Sequence, residues 1–289
     1  MTFRDFVPPI LIKILSRIRS GVSPSKNNSA SSLPENWEEI LKENETLKNI
    51  HQGKRCFILA TGSSIANHDL KPLKDEICIG LNEFFLHEDY KIIKPKYVVF
   101  SGFGIHNVPS EKQLAWYKSY GDTIKGISVP LINICDYKYI FKNNFLPNAG
   151  TKFMRYDLNY ETLPVIGIDA TKKMYASQGV GAMAIQNAIY MGFKEIILVG
   201  FDHDWLLRMF DKKPTHFYNH NNSIIYKGLR EVDVFSVQYQ LDSLSKLFMN
   251  YIHIKKYADE KGIQILNATE GGMLDVFPRT NFEALFEKK

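Results

Sequence analysis

The clearest pattern in the chain is a helical run of small and aliphatic residues that leads into a short, continuous apolar run. The helical run covers residues 182–191, and Gly192 follows where a left-handed glycine commonly ends a helix. The apolar run, residues 195–200, is typical of a parallel strand buried on both faces. The chain becomes polar directly afterwards, at residues 202–204. Because ligands of open α/β sheets bind outside the carboxyl ends of strands, this pattern predicts a ligand-binding edge.

Similar patterns recur on both sides of this unit. Further strands are predicted over residues 54–60, 75–80, 96–101, 126–134 and 262–266, and helices over residues 36–51, 111–120 and 232–261. The stretch 137–160 is rich in aromatic residues and Asn, so it either packs against the sheet or forms an exposed loop that stacks on a ligand. Strands that alternate with helices predict an α/β fold with a Rossmann-like, doubly wound, mostly parallel sheet.

Small polar residues and glycines follow several of these strands. The first strand is followed by Thr61, Gly62, Ser63 and Ser64, the second by Asn82, and the last by Asn267, Thr269 and Glu270. The turn Ser177-Gln178-Gly179 opens the central helix, whose N-terminal N–H groups and dipole favour a phosphate. Residues 61–64 do not form a GxGxxG motif and also fit a plain turn capped by serine. These positions are the candidate nucleotide-binding and donor-binding residues.

The amino-terminal segment differs from the rest of the chain. Over residues 2–19, large apolar residues alternate with cations at helical spacing, and the run is too short and too charged to span a membrane. We expect residues 1–20 to form an amphipathic helix on an anionic membrane surface, although docking on the domain or on a partner subunit is an alternative. Residues 21–35 are rich in Ser, Asn and Pro and are predicted to be a linker. Residues 36–289 form the expected catalytic domain.

Charge and cysteine content narrow the class of protein. The formal net charge is +5, but residues 1–26 hold five cations against one acid, so the remaining chain is close to neutral. A nucleic-acid-binding domain is expected to carry a basic body, and this class is therefore disfavoured. Cys56, Cys78 and Cys135 show no CxxC spacing, which favours a reducing cytosol and no structural zinc.

The region of about 205–230 has the composition of a mobile active-site lid. It combines charge, Pro and Asn with two histidines, His216 and His220, and either could act as a general base. Asp202 and Asp204 form a D-x-D pattern, and two carboxylates suit a hard cation such as Mg²⁺ or Mn²⁺. We expect no cofactor, and a metal held by these two residues is the alternative.

Several blocks of the sequence resemble two related groups of proteins. The blocks are ILATGSS, GLNEFF, SQGVGAMAIQNAIYMGFKEIILVGFDHD, HFYNH and NATEGG, spread over residues 54–280. They resemble the hydroxymethylpterin diphosphokinase-like Rossmann family, which includes flagellin-modifying and surface-polysaccharide glycosyltransferases. More distantly, they are similar to the bacterial sialyltransferases of glycosyltransferase family 42. The resemblance implies a GT-A-like variant of the Rossmann-like fold.

The resemblance also implies roles for individual residues. Gly62 and Ser64 would line the nucleotide phosphates, and Asn82 would contact the donor. Gln178 and Gly179 would lie at the sugar or phosphate. Asp202 would lie at the ribose or base, and His220 would deprotonate the acceptor hydroxyl. The sialyltransferases have Asn in place of Thr61 and Ser in place of Gln178, so the donor sugar remains open.

The expected function is transfer of a sugar from a nucleotide donor to a hydroxyl of a surface glycan, on an oligosaccharide or a lipid carrier. A CMP-activated nonulosonic acid such as sialic acid is one candidate donor. The expected location is the inner face of the cytoplasmic membrane, where the protein would be peripheral, and a homo-oligomer is one option for its assembly. The alternatives are a metal-dependent transferase, a pterin-type diphosphokinase and an inert nucleotide-binding protein. The sequence has no P-loop GxxxxGK[ST] motif to support the diphosphokinase.

Overall fold

A single eight-stranded sheet organises the chain, in the order β6-β5-β4-β3-β2-β1-β7-β8. The structure is a computed structural model that describes residues 33–102, 110–146, 150–156, 165, 167–175, 177–211, 213–218 and 237–287. Every strand pairing in these ranges is parallel. The strands are β1 (Arg55–Leu59), β2 (Cys78–Leu81), β3 (Tyr97–Phe100), β4 (Val129–Asn133), β5 (Lys152–Tyr156), β6 (Lys173–Met174), β7 (Glu195–Val199) and β8 (Gln264–Asn267).

Helices and short turns connect the strands. The described residues contain the α-helices α1 (Trp37–Lys42), α2 (Tyr90–Ile93), α3 (Ser110–Ile124), α4 (Tyr137–Asn143), α5 (Val180–Tyr190), α6 (Trp205–Asp211) and α7 (Val237–Glu260). They also contain 3₁₀ turns at Glu43–Leu47, Ser63–Asn67, Lys71–Asp75, Asn82–Leu86, Ile134–Asp136 and Glu283–Leu285. Within the described ranges, no helix has the length and apolar character needed to cross a membrane.

Both faces of the sheet are buried. On one face, Cys56 and Ile58 of β1 join the apolar residues of α5 and α7. On the other face, Phe57 and Leu59 join residues of α1, α2, α3 and the C-terminal turn around Phe282. Alternate strand positions therefore enter opposite cores, as expected when helices cover both faces of a parallel sheet.

The helix α5 ends in the way that its sequence predicts. Gly192 has φ +87°, a left-handed conformation that glycine adopts without steric cost. Its N–H donates to Ile189 O at 3.0 Å, and the Phe193 N–H donates to Ala188 O at 3.2 Å. This pair of bonds is a Schellman motif, which satisfies carbonyls at the helix end and directs the chain into β7.

The strand order reverses between β1 and β7. From β1 to β6 each strand adds beside the previous one, and the chain then returns across the sheet to place β7 on the free side of β1. The carboxyl ends of β1 and β7 therefore form a topological switch point, where ligands of doubly wound sheets bind.

The predicted α/β class and parallel sheet are confirmed, and the sheet is parallel throughout instead of mostly parallel. The predicted helix over residues 36–51 is wrong beyond Lys42, because the chain continues as a 3₁₀ turn to Leu47. Within that turn, the Asn44 side chain donates to Phe153 O at 2.7 Å and Ala170 O at 2.8 Å. These tertiary bonds fix Asn44 against the sheet.

The stretch 137–160 contains α4 and the whole of β5, which the sequence did not predict. The Tyr137 ring stacks on Phe141, which is largely exposed, at 4.4 Å and meets the buried Phe153 edge-on at 4.9 Å. The predicted amphipathic helix over residues 1–20 lies outside the described residues, as do most of the linker over residues 21–35 and residues 219–230 of the lid.

Candidate functional site

The turn after β1 lies against the turn after β7. Hydrogen bonding between the two strands continues past their ends, with Ala60 N–H donating to Val199 O at 2.9 Å and Gly62 N–H donating to Gly200 O at 3.1 Å. A Cβ atom at position 62 would lie 2.6 Å from Asp202 Cγ. Gly62 has an ordinary φ of −59°, so glycine is required here because of close approach and not because of backbone conformation.

The Asp202 carboxylate is hydrogen-bonded to this turn. It accepts the Ser64 N–H at 2.9 Å, the Ser64 hydroxyl, and the Ser63 hydroxyl at 3.3 Å. Asp202 is 3% exposed and Ser64 is 6% exposed. The structure thus brings these three predicted residues together, but Ser64 and Asp202 satisfy each other and do not face an open cleft.

Arg208 of α6 lies between the two carboxylates of the D-x-D pattern. Its Nε donates to both oxygens of Asp204 at 2.7 Å, and its Nη2 lies 3.9 Å from Asp202 Oδ2. Within the described ranges, no three His, Cys, Asp or Glu side chains are placed to hold a metal ion. A divalent cation between Asp202 and Asp204 would be repelled by this guanidinium, so these residues do not fit the Mg²⁺ or Mn²⁺ alternative.

The turn after β8 supports the end of β7. Thr269 Oγ1 accepts the Phe201 N–H at 2.9 Å, and the Asn267 side chain accepts the Thr269 N–H at 3.0 Å. Both side chains are buried, at 4% and 0% exposure. Glu270 lies further out and accepts a bond from Asn67 at 2.9 Å. The predicted residues of this turn therefore brace the switch point, and only Glu270 is exposed.

The described part of the predicted lid lies across the turn after β1. Residues 213–218, here called the strap, form a bridge between His216 and Gly62, and the Phe217 N–H donates to Thr61 O at 3.2 Å. Arg208 Nη1 donates to Pro214 O at 3.1 Å. His216 is thus placed directly at the candidate phosphate turn. His220 lies outside the described residues.

The turn that opens α5 lies at the same edge of the sheet. A Cβ atom at Gly181 would lie 2.6 Å from the Phe201 ring, so the first turn of α5 packs beside the residue that precedes Asp202. Ser177 is buried and accepts a bond from Gln186 at 2.8 Å, which gives it an internal role. Gly179 is the N-cap of α5 and has no side chain with which to cap the helix. The Ala182 and Met183 N–H groups donate to Gly179 O at 3.1 and 3.4 Å, so within the described ranges the Val180 and Gly181 N–H groups are the ones left for a ligand.

Two candidate residues carry amide oxygens that are buried and have no hydrogen-bond partner within the described ranges, Asn82 Oδ1 and Gln178 Oε1. Asn82 also has φ +46°, which is unusual for a residue with a side chain. Unpaired buried polar atoms are rare in folded proteins and call for an explanation. Both residues follow strand ends on the carboxyl edge, where a ligand would supply the missing partner.

His203, between the two aspartates, is held in a neutral form. It has φ +49°, and its Nε2 lies 2.9 Å from the Tyr251 hydroxyl. Burial lowers the pKa of His203 to about 4 and raises the pKa of Tyr251, so the tyrosine hydroxyl donates this bond. Such a histidine is a weak base at neutral pH and serves to fix the turn to α7.

Sequence reasoning missed Arg208, Ser243 and Asn250. The four-residue spacing between Asp204 and Arg208 on a helix is the signal that would have predicted their ion pair. Ser243 and Asn250, seven residues apart on α7, interrupt its buried apolar face and both bond to Gln178. Comparisons of the sequence with protein-family models and with curated proteins find no match to either.

Proposed function

We propose that the protein is a glycosyltransferase that moves a sugar from a nucleotide donor to a hydroxyl of a surface glycan. The single observation that carries this proposal is the convergence of the β1 turn, the β7 turn, the strap and the start of α5 at the switch point. This is the position at which doubly wound sheets bind nucleotides. A GT-A-like variant of the fold is part of the same proposal.

The groups at this edge suit the parts of such a donor. The uncapped first turn of α5 offers backbone N–H groups and a positive dipole end to a phosphate. Thr61 and Ser63 are partly exposed at the β1 turn. The unpaired oxygens of Asn82 and Gln178 suit hydroxyl or amino groups. Gly62 N–H and Ser64 N–H already have acceptors within the protein, so they take no part in phosphate binding.

A histidine of the lid region is proposed as the general base. His216 lies at the β1 turn, and His220 follows the strap by two residues. A base of this type contributes about 10²–10⁴-fold to a proton transfer. We expect His220→Ala to lower turnover by about 10²-fold or more with donor binding retained, and unchanged turnover would exclude His220 as the base.

The position of Arg208 favours a reaction without a metal over the metal-dependent alternative. Its guanidinium already supplies positive charge between Asp202 and Asp204. Activity retained in excess EDTA would support this choice, and activity restored only by Mn²⁺ or Mg²⁺ would reverse it. The engagement of Asp202 by Ser63 and Ser64 favours one other alternative, an inert nucleotide-binding protein.

Two measurements test the proposal. A thermal-shift screen with CMP, UDP, GDP, dTDP and ADP should give one nucleotide that raises the melting temperature by about 5–10 °C at a hundredfold excess over Kd. The matching nucleotide sugar should then be hydrolysed slowly in the absence of an acceptor. Binding without hydrolysis would indicate the inert protein, and no binding of any nucleotide would refute the proposal.

The acceptor is proposed to be an oligosaccharide or a lipid-linked glycan at the inner face of the cytoplasmic membrane. The support is the sequence of residues 1–20, whose cations and apolar residues suit an anionic lipid surface. Sedimentation of the full chain with anionic but not with neutral vesicles would support this location.

A further inference from the structure

A buried polar network joins the turn before α5 to the middle of α7. The Gln178 N–H donates to Asn250 Oδ1 at 2.8 Å, and Gln178 Nε2 donates to Ser243 Oγ at 2.7 Å. Asn250 is 1% exposed, and its Nδ2 donates to the Tyr175 hydroxyl at 3.3 Å. The Tyr175 hydroxyl in turn lies 2.9 Å from His253 Nδ1. The helix α7 thus holds Gln178 at its backbone and at its side chain, and Tyr175 at the β6 end supports Asn250.

The network leaves one atom of Gln178 unused. Oε1 is buried and has no hydrogen-bond partner within the described ranges, whereas both of the other polar groups named above are paired. The residue as a whole is partly exposed and lies at the carboxyl edge of the sheet. In this arrangement the NH₂ group donates to Ser243, which leaves Oε1 as the unpaired atom of the amide.

We propose that Gln178 Oε1 is a specificity-determining acceptor that binds a hydroxyl or amino group of the ligand, with Ser243 and Asn250 as the residues that position it. An amide oxygen can only accept a hydrogen bond, and an ionised phosphate oxygen has no proton to give. The phosphate therefore binds elsewhere, at the start of α5. This inference rests on the proposed function and assigns Gln178 to the sugar or base of the donor.

Two sources can supply such a group, the exocyclic amine of a base and the hydroxyls of the sugar. Paired probes distinguish them. CMP and UMP differ in whether the pyrimidine carries an amino group, and CMP-N-acetylneuraminic acid differs from CMP by the sugar. The ratio of dissociation constants for CMP and UMP, measured by calorimetry, reports the contact with the base and is insensitive to general effects of a mutation on phosphate binding, because both carry the same phosphate monoester. The phosphate groups of CMP-N-acetylneuraminic acid and CMP differ, so for this pair the contact is reported by the change in the ratio between wild type and variant.

Three variants test the assignment. In wild type we expect a preference of about tenfold or more within one pair, the size of one neutral hydrogen bond. Gln178→Leu should abolish that preference, and Gln178→Glu should retain it, because the carboxylate still accepts and the Ser243 hydroxyl can donate to it. Gln238→Leu, on the exposed first turn of α7, is the matched control and should bind like wild type.

The outcomes separate this inference from the proposed function. Wild-type protein that binds none of the probes, nor the other nucleotides named above, refutes the proposed function and this inference with it. Wild-type protein that binds but shows no preference in either pair overturns this inference alone. This inference alone is also overturned if the Gln178→Leu variant has an unchanged melting temperature and keeps the preference. Loss of the preference in both Gln178→Leu and Gln178→Glu would mean that the NH₂ group of Gln178 faces the ligand, and this result would also overturn the inference.

Discussion

The replacement of Asp202 by Asn tests whether the switch point is held together by one buried carboxylate. In the wild-type chain this carboxylate accepts hydrogen bonds from the Ser64 N–H, the Ser64 hydroxyl and the Ser63 hydroxyl, and it lies 3.9 Å from Arg208. The amide has almost the same shape but only one acceptor atom. Its NH₂ group can take the Oδ1 position and donate to the Ser64 hydroxyl, which then accepts, but every bond of the network loses the contribution of the negative charge.

The magnitude follows from the contacts. A hydrogen bond to a charged group contributes about 1.5–3 kcal/mol, whereas a hydrogen bond between neutral groups contributes about 0.5–1.5 kcal/mol. The retained oxygen preserves part of the network, so we expect Asp202→Asn to lower the free energy of unfolding by about 2–4 kcal/mol. For a domain whose total stability is about 5–15 kcal/mol, this is a large effect.

Equilibrium unfolding in urea measures this effect. With a slope of about 3 kcal/mol per molar for a domain of this size, the midpoint should fall by about 1 M. The matched control is Asp242→Asn, because the Asp242 carboxylate lies 2.7 Å from Lys246 but is 61% exposed. It should cost less than about 0.5 kcal/mol. Ser64→Ala should cost much less in the Asp202→Asn background than in wild type. Equal midpoints for the two Asn variants, or additive effects of Ser64→Ala, would refute the reasoning.

Three further predictions concern the same region and the histidines. Gly62→Ala should lower the free energy of unfolding by about 1–3 kcal/mol, because its Cβ would clash with Asp202. Gly167→Ala is the control, because its Cβ would meet open space and stability should not change. Thermal melts of the two variants compare these effects. Burial, chiefly, lowers the pKa of His51 and of His203 from 6.5 to about 4. Both imidazoles are therefore neutral in the folded protein. The free energy of unfolding should be constant above pH 6.5 and should be lower by about 2 kcal/mol per histidine at pH 5. A melting temperature that does not change with pH would contradict this. Arg208→Gln removes the donor to Pro214 O, so hydrogen exchange of the strap peptides should be about tenfold faster than in wild type. Unchanged exchange would show that this hydrogen bond does not hold the strap.

The parts of the fold that the sequence predicts are those whose stabilisation is local. The unit from α5 through Gly192 to β7 combines a helical period, a glycine stop and a continuous apolar strand, and it is observed as predicted. In contrast, β5 reads Lys-Phe-Met-Arg-Tyr, where cations break the apolar run. The strand β6 has only two residues and exists because β5 lies beside it. Both strands depend on pairing with their neighbours, which the local sequence pattern does not reveal.

The candidate site also has features that the sequence predicts and features that it does not. The location of the ligand edge follows from polar residues after apolar strands, and the chain places Gly62, Gln178 and Asp202 on that edge. The hydrogen-bond partners do not follow, because Ser64 and Asp202 are separated by 138 residues in the chain. An aspartate that binds a ribose and an aspartate that is hydrogen-bonded to a neighbouring turn, as Asp202 is, have the same sequence pattern. Only the tertiary structure distinguishes them.

The strand order has a consequence for synthesis of the chain. The strands β1 to β6 can pair one after another as they leave the ribosome, but the second neighbour of β1 is β7, which begins at Glu195. Until then, β1, an interior strand of the finished sheet, is an open edge with four consecutive apolar residues after Arg55. Exposed edges of this kind invite pairing with other chains. The nascent protein is therefore most prone to aggregation between translation of residues 59 and 195, and chaperone dependence should be concentrated in that interval.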